Sequence, residues 1–300
     1  MNNITLTIAT KNKLDELKIT LESLKEIILA KKVDCIICDD GSTDDSIIEY
    51  LRENYPMILV LKNRKSRGIH FTRNLMFSKV KTPYALCLDD DVSLLTCNSL
   101  GLIENYFDKN PKCSVIAFRI FWSKKQPITM ICNEDNERVK SFGAGACAWR
   151  MSYWRMIPNF LDWFMFYGEE DFAAFHLYKK GLEIHYVPDI LVHHRVDVKS
   201  RKMESDYKLR LRRSLRSGWY LYLLFYPLKL IPRKFSYTLW MQLKLKVFKG
   251  DMKALVAIFL ALFDVFLNLP RLLKNSNRLS SYEFEQYQKL TNSKLYWIPK

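Results

Sequence analysis

Short apolar runs alternate with amphipathic stretches over the first hundred residues. Ile4–Ala9 is a β-rich run, and Leu14, Leu17, Leu21, Leu24 and Ile28 then recur at spacings of three and four. That period predicts an amphipathic helix. Val33–Cys38 is an unbroken apolar run ending in Asp39 and Asp40. Gly41-Ser42-Thr43 follows, with Ser42 or Thr43 placed to cap a helix from Asp44 to about Asn54. A strand over Met57–Leu61, a helix over 70–80 and a strand over Tyr84–Leu88 come next, the last running into Asp89-Asp90-Asp91. Such alternation with short connections predicts a mostly parallel, Rossmann-like sheet covered by helices on both faces. Right-handed crossovers bring the carboxyl ends of the strands to one edge, where open α/β sheets bind ligands. Thr10, Asp39, Asp40 and the Asp89–Asp91 cluster all lie just past strand ends and are expected to converge there.

Beyond residue 100 the alternation loosens. A helix near 98–108 and a strand near 113–120 precede a polar stretch, Ser123–Lys140, that reads as a loop. Phe142–Ala148 is rich in small residues, which lets backbone come close to a neighbour. The aromatic run Trp163–Tyr167 leads into Glu169-Glu170-Asp171 and a helix to about Lys180, with Gly181 as its C-cap and a strand at Glu183–Val187.

Charge divides the chain. The 300 residues carry a formal charge of +15. Residues 1–194 hold 25 basic and 25 acidic side chains, and residues 195–300 hold 22 and 7. The whole excess therefore belongs to the last third. At 49% hydrophobic the chain can bury a sizeable core. No secretory signal pattern is visible at the N-terminus, and the odd set of seven cysteines, mostly in apolar runs, reads as reduced and cytoplasmic. Cys35 and Cys38 form a C-x-x-C, but on a strand they point to opposite faces and suit neither a metal nor a redox pair.

Three adjacent carboxylates repel one another unless a cation screens them. Asp89 and Asp91, two apart, can point the same way, which suits Mg²⁺ or Mn²⁺; the plain alternative is a solvated acidic turn. A second acidic cluster, DDGSTDDS, follows another apolar strand, and the basic loop Asn63–Gly68 and Arg73 lie between the two. A metal on one side and Arg or Lys on the other is what a diphosphate leaving group needs.

In these motifs the chain resembles the family 2 glycosyltransferases, inverting enzymes of the GT-A fold that use nucleotide sugars. The resemblance covers residues 3–195 and rests on TIATKNK, CDDGSTDDS, NRKSRGIHFTRN, YALCLDDDV, GAGACAWR, YGEEDFAAFHLYKKG and VPDILVHH in that order. It implies that Thr10, Asp39 and Asp40 hold the base and ribose and that Arg73 approaches the diphosphate. It implies that Asp89, Asp90 and Asp91 form the D-x-D segment, Asp89 and Asp91 being its two acids and Asp91 the direct metal ligand. Glu170 falls where the family has its Asp general base, and Asp171 is the alternative. His194 fits the histidine that joins the metal in some members, with His193 as its neighbour. His176 stands where the family commonly has Arg. A carboxylate base would take the acceptor hydroxyl's proton during an inverting attack, and Trp163, Phe164, Phe166 and Tyr167 either line its pocket or are ordinary core.

The last third interleaves base and aromatic. Lys199, Arg201, Lys202, Lys208, Arg210, Arg212, Arg213 and Arg216 precede the aromatic run Trp219–Tyr226, and six further Lys and Arg are mixed with Phe235, Tyr237, Trp240 and Phe248. Ala254–Leu269 is strongly apolar but only sixteen residues long, short of the roughly twenty that span a bilayer. The pattern predicts a segment lying on an anionic membrane surface. A helical hairpin packed back on the rest of the chain and a nucleic-acid surface are the competing readings; no nucleic-acid motif is present.

The expectation is thus a GT-A catalytic region over 1–198, with a nucleotide-sugar half to about 95 and an acceptor half after it. A basic helical extension over 199–300 follows. The activity expected is metal-dependent transfer from a UDP- or dTDP-sugar to a glycan or lipid-linked acceptor, on the cytoplasmic face of a bacterial membrane during surface polysaccharide synthesis. The alternative is a non-catalytic nucleotide-sugar-binding or membrane scaffold protein.

Overall fold

A computed structural model describes residues 3–30, 33–197 and 205–299. The boundary expected at 198–199 and the basic residues Lys199, Arg201 and Lys202 lie outside the described residues. Among those described, the chain builds β1 (Ile4–Thr10), α1 (Leu14–Lys25), β2 (Cys35–Asp39), α2 (Ser46–Asn54), β3 (Leu59–Lys62), α3 (Ile69–Phe77), β4 (Tyr84–Asp89), β5 (Val92–Leu94) and α4 (Ser99–Lys109). Then come β6 (Cys113–Trp122), β7 (Glu137–Val139), β8 (Ala146–Arg150), α5 (Met151–Trp154), α6 (Glu169–Lys179) and β9 (Glu183–His194). The helices α7 (Tyr207–Phe225), α8 (Ile231–Leu245), α9 (Met252–Lys274) and α10 (Ser281–Lys289) complete it.

All the strands join one sheet in the order β3-β2-β1-β4-β8-β6-β9-β5, with β7 pairing on β9. β3, β2, β1, β4, β6 and β9 run the same way, and β5, β7 and β8 run against them. In register, Thr10 lies beside Asp39 and Ala9 beside Asp89. Three strand ends are thereby set side by side, about 4.8 Å apart. The α1, α2 and α4 side chains cover one face of the sheet together with Ile4, Leu6 and Ile8. The other face packs against α3, α6 and residues of α7, α9 and α10. Cys35 enters the first core and Cys38 the second, on opposite faces of β2. All seven cysteines are free.

Three sequence expectations need correction. The cap expected from Ser42 or Thr43 is not made, because α2 starts behind Asp45 with no side-chain cap. The buried Asp39 carboxylate is the stronger acceptor and takes both the Ser42 amide, at 2.9 Å, and its hydroxyl, at 2.6 Å. The 123–140 stretch carries β7, too short and polar to show a period. The apolar run near 254 lies in a 23-residue helix, long and apolar enough by length and composition to cross a membrane. Its Asp264 and Asn268 do not end it, since Asp264 is buried against Arg212 and Asn268 bonds the Tyr220 hydroxyl.

The C-terminal helices share the core of the sheet. Tyr220, Leu224 and Phe225 of α7, Leu272 of α9, and Phe284 and Tyr287 of α10 lie in the same cluster as Cys87, Trp149 and Phe172. The tail then returns along the sheet, with Trp297 bridging to Phe121.

Candidate active site

The end of β4 carries the acids. Asp89, Asp91 and His194 each offer an atom within 4.8 Å of the others. His194 Nε2 stands 2.9 Å from Asp91 Oδ1, and Lys13 Nζ stands 2.8 Å from Asp91 Oδ2 and 3.3 Å from Asp90 Oδ1. Burial pushes the Asp91 carboxyl upward, but His194 and Lys13 overcome it and hold the group well below the carboxylate range. Asp90 goes the other way: burial, with Asp91 and Asp89 adding to it, raises it to about 6 against the pull of Lys13. Two histidines adjacent on β9 face opposite ways, so His193 leaves the cluster and its ring meets the Ser123 carbonyl at 2.7 Å. The His194 ring packs 4.0 Å from Trp122, whose indole donates to the Leu295 carbonyl at 2.7 Å.

Asp89 is reached from two other elements. Its amide donates to the Gly145 carbonyl at 2.8 Å, and a Cβ added at Gly145 would meet Asp89 Oδ2 at 2.4 Å. That close approach accounts for the small-residue run before β8. Arg73, buried on α3, donates to Asp89 at 2.9 Å and to Glu169 at 2.6 Å. One guanidinium thus ties the end of β4 to the start of α6.

The nucleotide pair expected at β2 divides. Asp40 accepts from Asn63, Ser66 and the amides of Arg67 and Gly68. Burial raises its pKa, yet these hydrogen bonds outweigh burial and lower it overall. Asp40 therefore buckles the basic loop over the strand end, and Gly41, at φ +71, is where that loop comes closest. Among the described residues, Asp39 Oδ2 is buried without a hydrogen-bond partner, and so is the Thr10 hydroxyl beside it.

At the start of α6 three acids have three different settings. Glu169 is buried, 3.1 Å from His70 Nε2, and sits at about 2 because His70 and Arg73 overcome the cost of burial. Glu170 is partly exposed, no side chain among the described residues partners it, and burial with the adjacent Glu169 raises it well above the usual carboxylate value. Asp171 is exposed beside Ser141. The loop before them is held in uncommon backbone geometry, with φ +66 at Met165 and +69 at Tyr167. Non-glycine residues pay for such angles only where the surroundings enforce them. Here the Ile69 amide donates to the Met165 carbonyl, and Arg216 and Ser217 donate to the Phe164 and Phe166 carbonyls. Of the aromatics, Phe164 is core and Trp163 packs on Tyr220, while Phe166 is exposed. His176 bonds Asn277 and lies between Phe172 and Phe225, where burial lowers it to about 4.

Sequence reasoning did not single out Lys13, His70, Glu169 as a paired group, or Arg195. Arg195 is buried and bonds Glu16, Ser93, Thr20 and the Asp90 carbonyl, fixing the acidic turn from behind. A single basic residue after a strand carries no signal of such a role.

The sheet order and the acids at its edge define a GT-A-type glycosyltransferase fold. Its solved relatives include GalNAc-T7 with UDP, GalNAc and Mn²⁺, at 14% identity and TM-score 0.60 over 75% of this chain and 48% of that one. A mannosyltransferase, PcManGT from Pyrobaculum calidifontis in complex with GDP-Man and Mn²⁺, matches at 13% identity and TM-score 0.56, over 95% and 83%. TarS of S. aureus matches at 15% and 0.52, over 70% and 38%. The chain thus spans about half of GalNAc-T7 and less of TarS. No curated protein matches the sequence. Residues 5–177 match glycosyl transferase family 2, and the chain belongs to that family.

Proposed function

We propose that the protein is an inverting glycosyltransferase that moves a sugar from a UDP- or dTDP-sugar to a hydroxyl of a glycan or lipid-linked acceptor. The observation that carries this is the arrangement across Arg73: the Asp-Asp-His cluster on one side and Glu169 on the other, with Glu170 next to it, a carboxylate of raised pKa that has no side-chain partner among the described residues. Two carboxylates and an imidazole fit Mg²⁺ or Mn²⁺, and the nitrogen donor favours Mn²⁺. Asp89, Asp91 and His194 would hold that ion, which supplies charge stabilisation to a departing diphosphate. Thr10 and Asp39, with free buried oxygens, suit the base and ribose, and Asp40 shapes the loop around them. Glu170 takes the acceptor proton, its raised pKa making it the stronger base at neutral pH. A scaffold that only binds nucleotide sugar has no use for such a group. Asp91→Asn and Glu170→Gln, made separately, test the reading through Mn²⁺-dependent sugar release from UDP-, dTDP- and GDP-sugars. Loss of turnover in both is expected. Full activity in both refutes the enzyme assignment.

We also propose that the enzyme works on the inner face of the cell membrane, in bacterial surface polysaccharide synthesis. Phe259, Phe263 and Phe266 of α9, and Trp240 and Phe248 nearby, are exposed. Lys244, Lys246, Lys249, Lys253, Arg271 and Lys274 lie along the same helices and their connection. An apolar face with that much basic charge suits anionic lipid, and disfavours pairing with an equally basic copy of itself.

A further inference from the structure

One indole joins the metal cluster to the residues that follow α10. Trp122 and His194 are the last residues of β6 and β9 and stand opposite each other in register. Their ring centroids are 4.0 Å apart and the planes are inclined by 32°. His194 turns Nε2 to Asp91 and lays its ring against the indole. The indole is held in turn by residues 291–299. Its Nε1 donates to the Leu295 carbonyl at 2.7 Å, and the Tyr296 ring lies 5.1 Å away. Leu295 and Tyr296 are pinned from both sides. Before them, the Lys140 amide donates to the Thr291 carbonyl at 2.9 Å, and Lys294 pairs with Glu137 and, at 3.7 Å, with Glu134. After them, the Trp297 amide donates to the Ile120 carbonyl at 2.9 Å, and the Arg119 guanidinium lies 4.4 Å over the Trp297 ring.

Metal-binding histidines are usually oriented by a partner beyond the metal. For His194 that partner is the face of Trp122, and Leu295 and Tyr296 set the direction of the face. A coordinated imidazole is electron-poor, which the face of an indole favours. We propose that Trp122 is a positioning residue for His194, and that the 291–299 segment, by fixing Trp122, sets the affinity of the Asp89, Asp91 and His194 cluster for its divalent ion. The segment lies beyond residues 5–177, the part that matches the family. This rests on the metal role given to the cluster above and adds what holds its imidazole in place.

The test is a double-mutant cycle on the full chain, with Mn²⁺ affinity read by electron paramagnetic resonance in the absence of nucleotide. Trp122→Ala should weaken Mn²⁺ binding about tenfold, the lower end of what a group behind a metal ligand is worth. Trp122→Phe keeps a ring face and should recover most of that loss. Tyr296→Ala, at a position 60% exposed where folding is little affected, should weaken binding about threefold, the worth of a weak aromatic pair. Circular dichroism checks that each variant folds. On a His194→Ala background neither Trp122→Ala nor Tyr296→Ala should weaken Mn²⁺ further, because the indole acts only through that imidazole. The nitrogen modulation that an imidazole ligand gives in the Mn²⁺ electron spin echo should be lost in His194→Ala, reduced in Trp122→Ala and kept in Trp122→Phe. Equal weakening by Trp122→Ala with and without His194 overturns the proposal, since it marks a general loosening of the fold. So does wild-type affinity in either Trp122→Ala or Tyr296→Ala. A His194→Ala variant that binds Mn²⁺ like wild type removes the metal role itself, and the proposal with it. Where His194→Ala does weaken binding, failure of the aromatic variants counts against this proposal alone.

Discussion

Arg73 and Glu169, far apart in sequence, form a buried ion pair 2.6 Å long between α3 and α6. Removing one partner from such a pair costs about 3–5 kcal/mol, because the survivor stays charged and buried. Glu169→Gln should therefore lower the denaturation midpoint at pH 7, and Arg73→Met with Glu169→Leu together should cost less than the sum. The pH dependence follows from the sign of the shift. Glu169 sits at about 2 in the fold against an ordinary 4.5, so its contribution is present above 4.5 and is lost as pH falls towards 2. The gap between wild type and Glu169→Gln should close over that window; a gap constant from pH 7 to 2 contradicts the pairing.

Glu170 behaves in the opposite sense. Its carboxyl is raised in the fold, so turnover should climb with pH through a value above the ordinary carboxylate range. Glu170→Gln should remove about 10²–10⁴-fold of the rate, the usual worth of a general base. A raised acid also makes the fold less stable as pH rises above the unfolded value. Glu170→Gln should thus melt higher than wild type at pH 8 and no higher at pH 4. An inactive variant with unchanged melting at pH 8 would mean that the carboxyl is not raised.

The contrast between these neighbours shows what the chain discloses by itself. Strand ends carrying Thr10, Asp39 and Asp89 are legible because apolar runs end there and parallel topology aligns them. Which of His193 and His194 faces the acids follows from strand alternation once the register with β5 is known. Glu169 and Glu170 look alike in sequence. Only the structure separates them: His70 and Arg73 of α3 pin Glu169 as an anion, and Glu170 has no such partner among the described residues. The bracing role of Asp40 is illegible for the same reason: its four donors come from a loop more than twenty residues away. The C-terminal helices show the reverse case, where composition points to an outward basic and apolar character but not to the place of α7 and α10 in the hydrophobic core of the sheet.

Lys13 stands where a cation would stand. Its ammonium, 2.8 Å from Asp91, neutralises the cluster that Asp89, Asp91 and His194 offer to a metal. Mn²⁺ binding must then compete with Lys13. Lys13→Met should tighten Mn²⁺ binding about tenfold in the absence of nucleotide, with His194→Ala weakening it, both read by Mn²⁺ electron paramagnetic resonance. Unchanged affinity in Lys13→Met would show that the ammonium and the metal occupy separate places.

The outward face of α9 makes a sharper membrane test than truncation, because α7, α9 and α10 share the core and their removal would expose it. Phe259 and Phe266 are 73% and 72% exposed, so they contribute little to the folded state. Inserting each ring into a lipid interface is worth about 1.5–3 kcal/mol. Phe259→Glu with Phe266→Glu should therefore lower flotation with phosphatidylglycerol vesicles by at least about hundredfold while leaving the melting temperature nearly unchanged. Asp264→Asn should do the converse, leaving the lipid face intact but loosening α9 from Arg212 and Arg216. Basic charge sets the lipid preference, so wild-type binding should weaken in phosphatidylcholine and at high salt. Undiminished flotation of the double phenylalanine variant would place the membrane contact elsewhere on the molecule or remove it altogether.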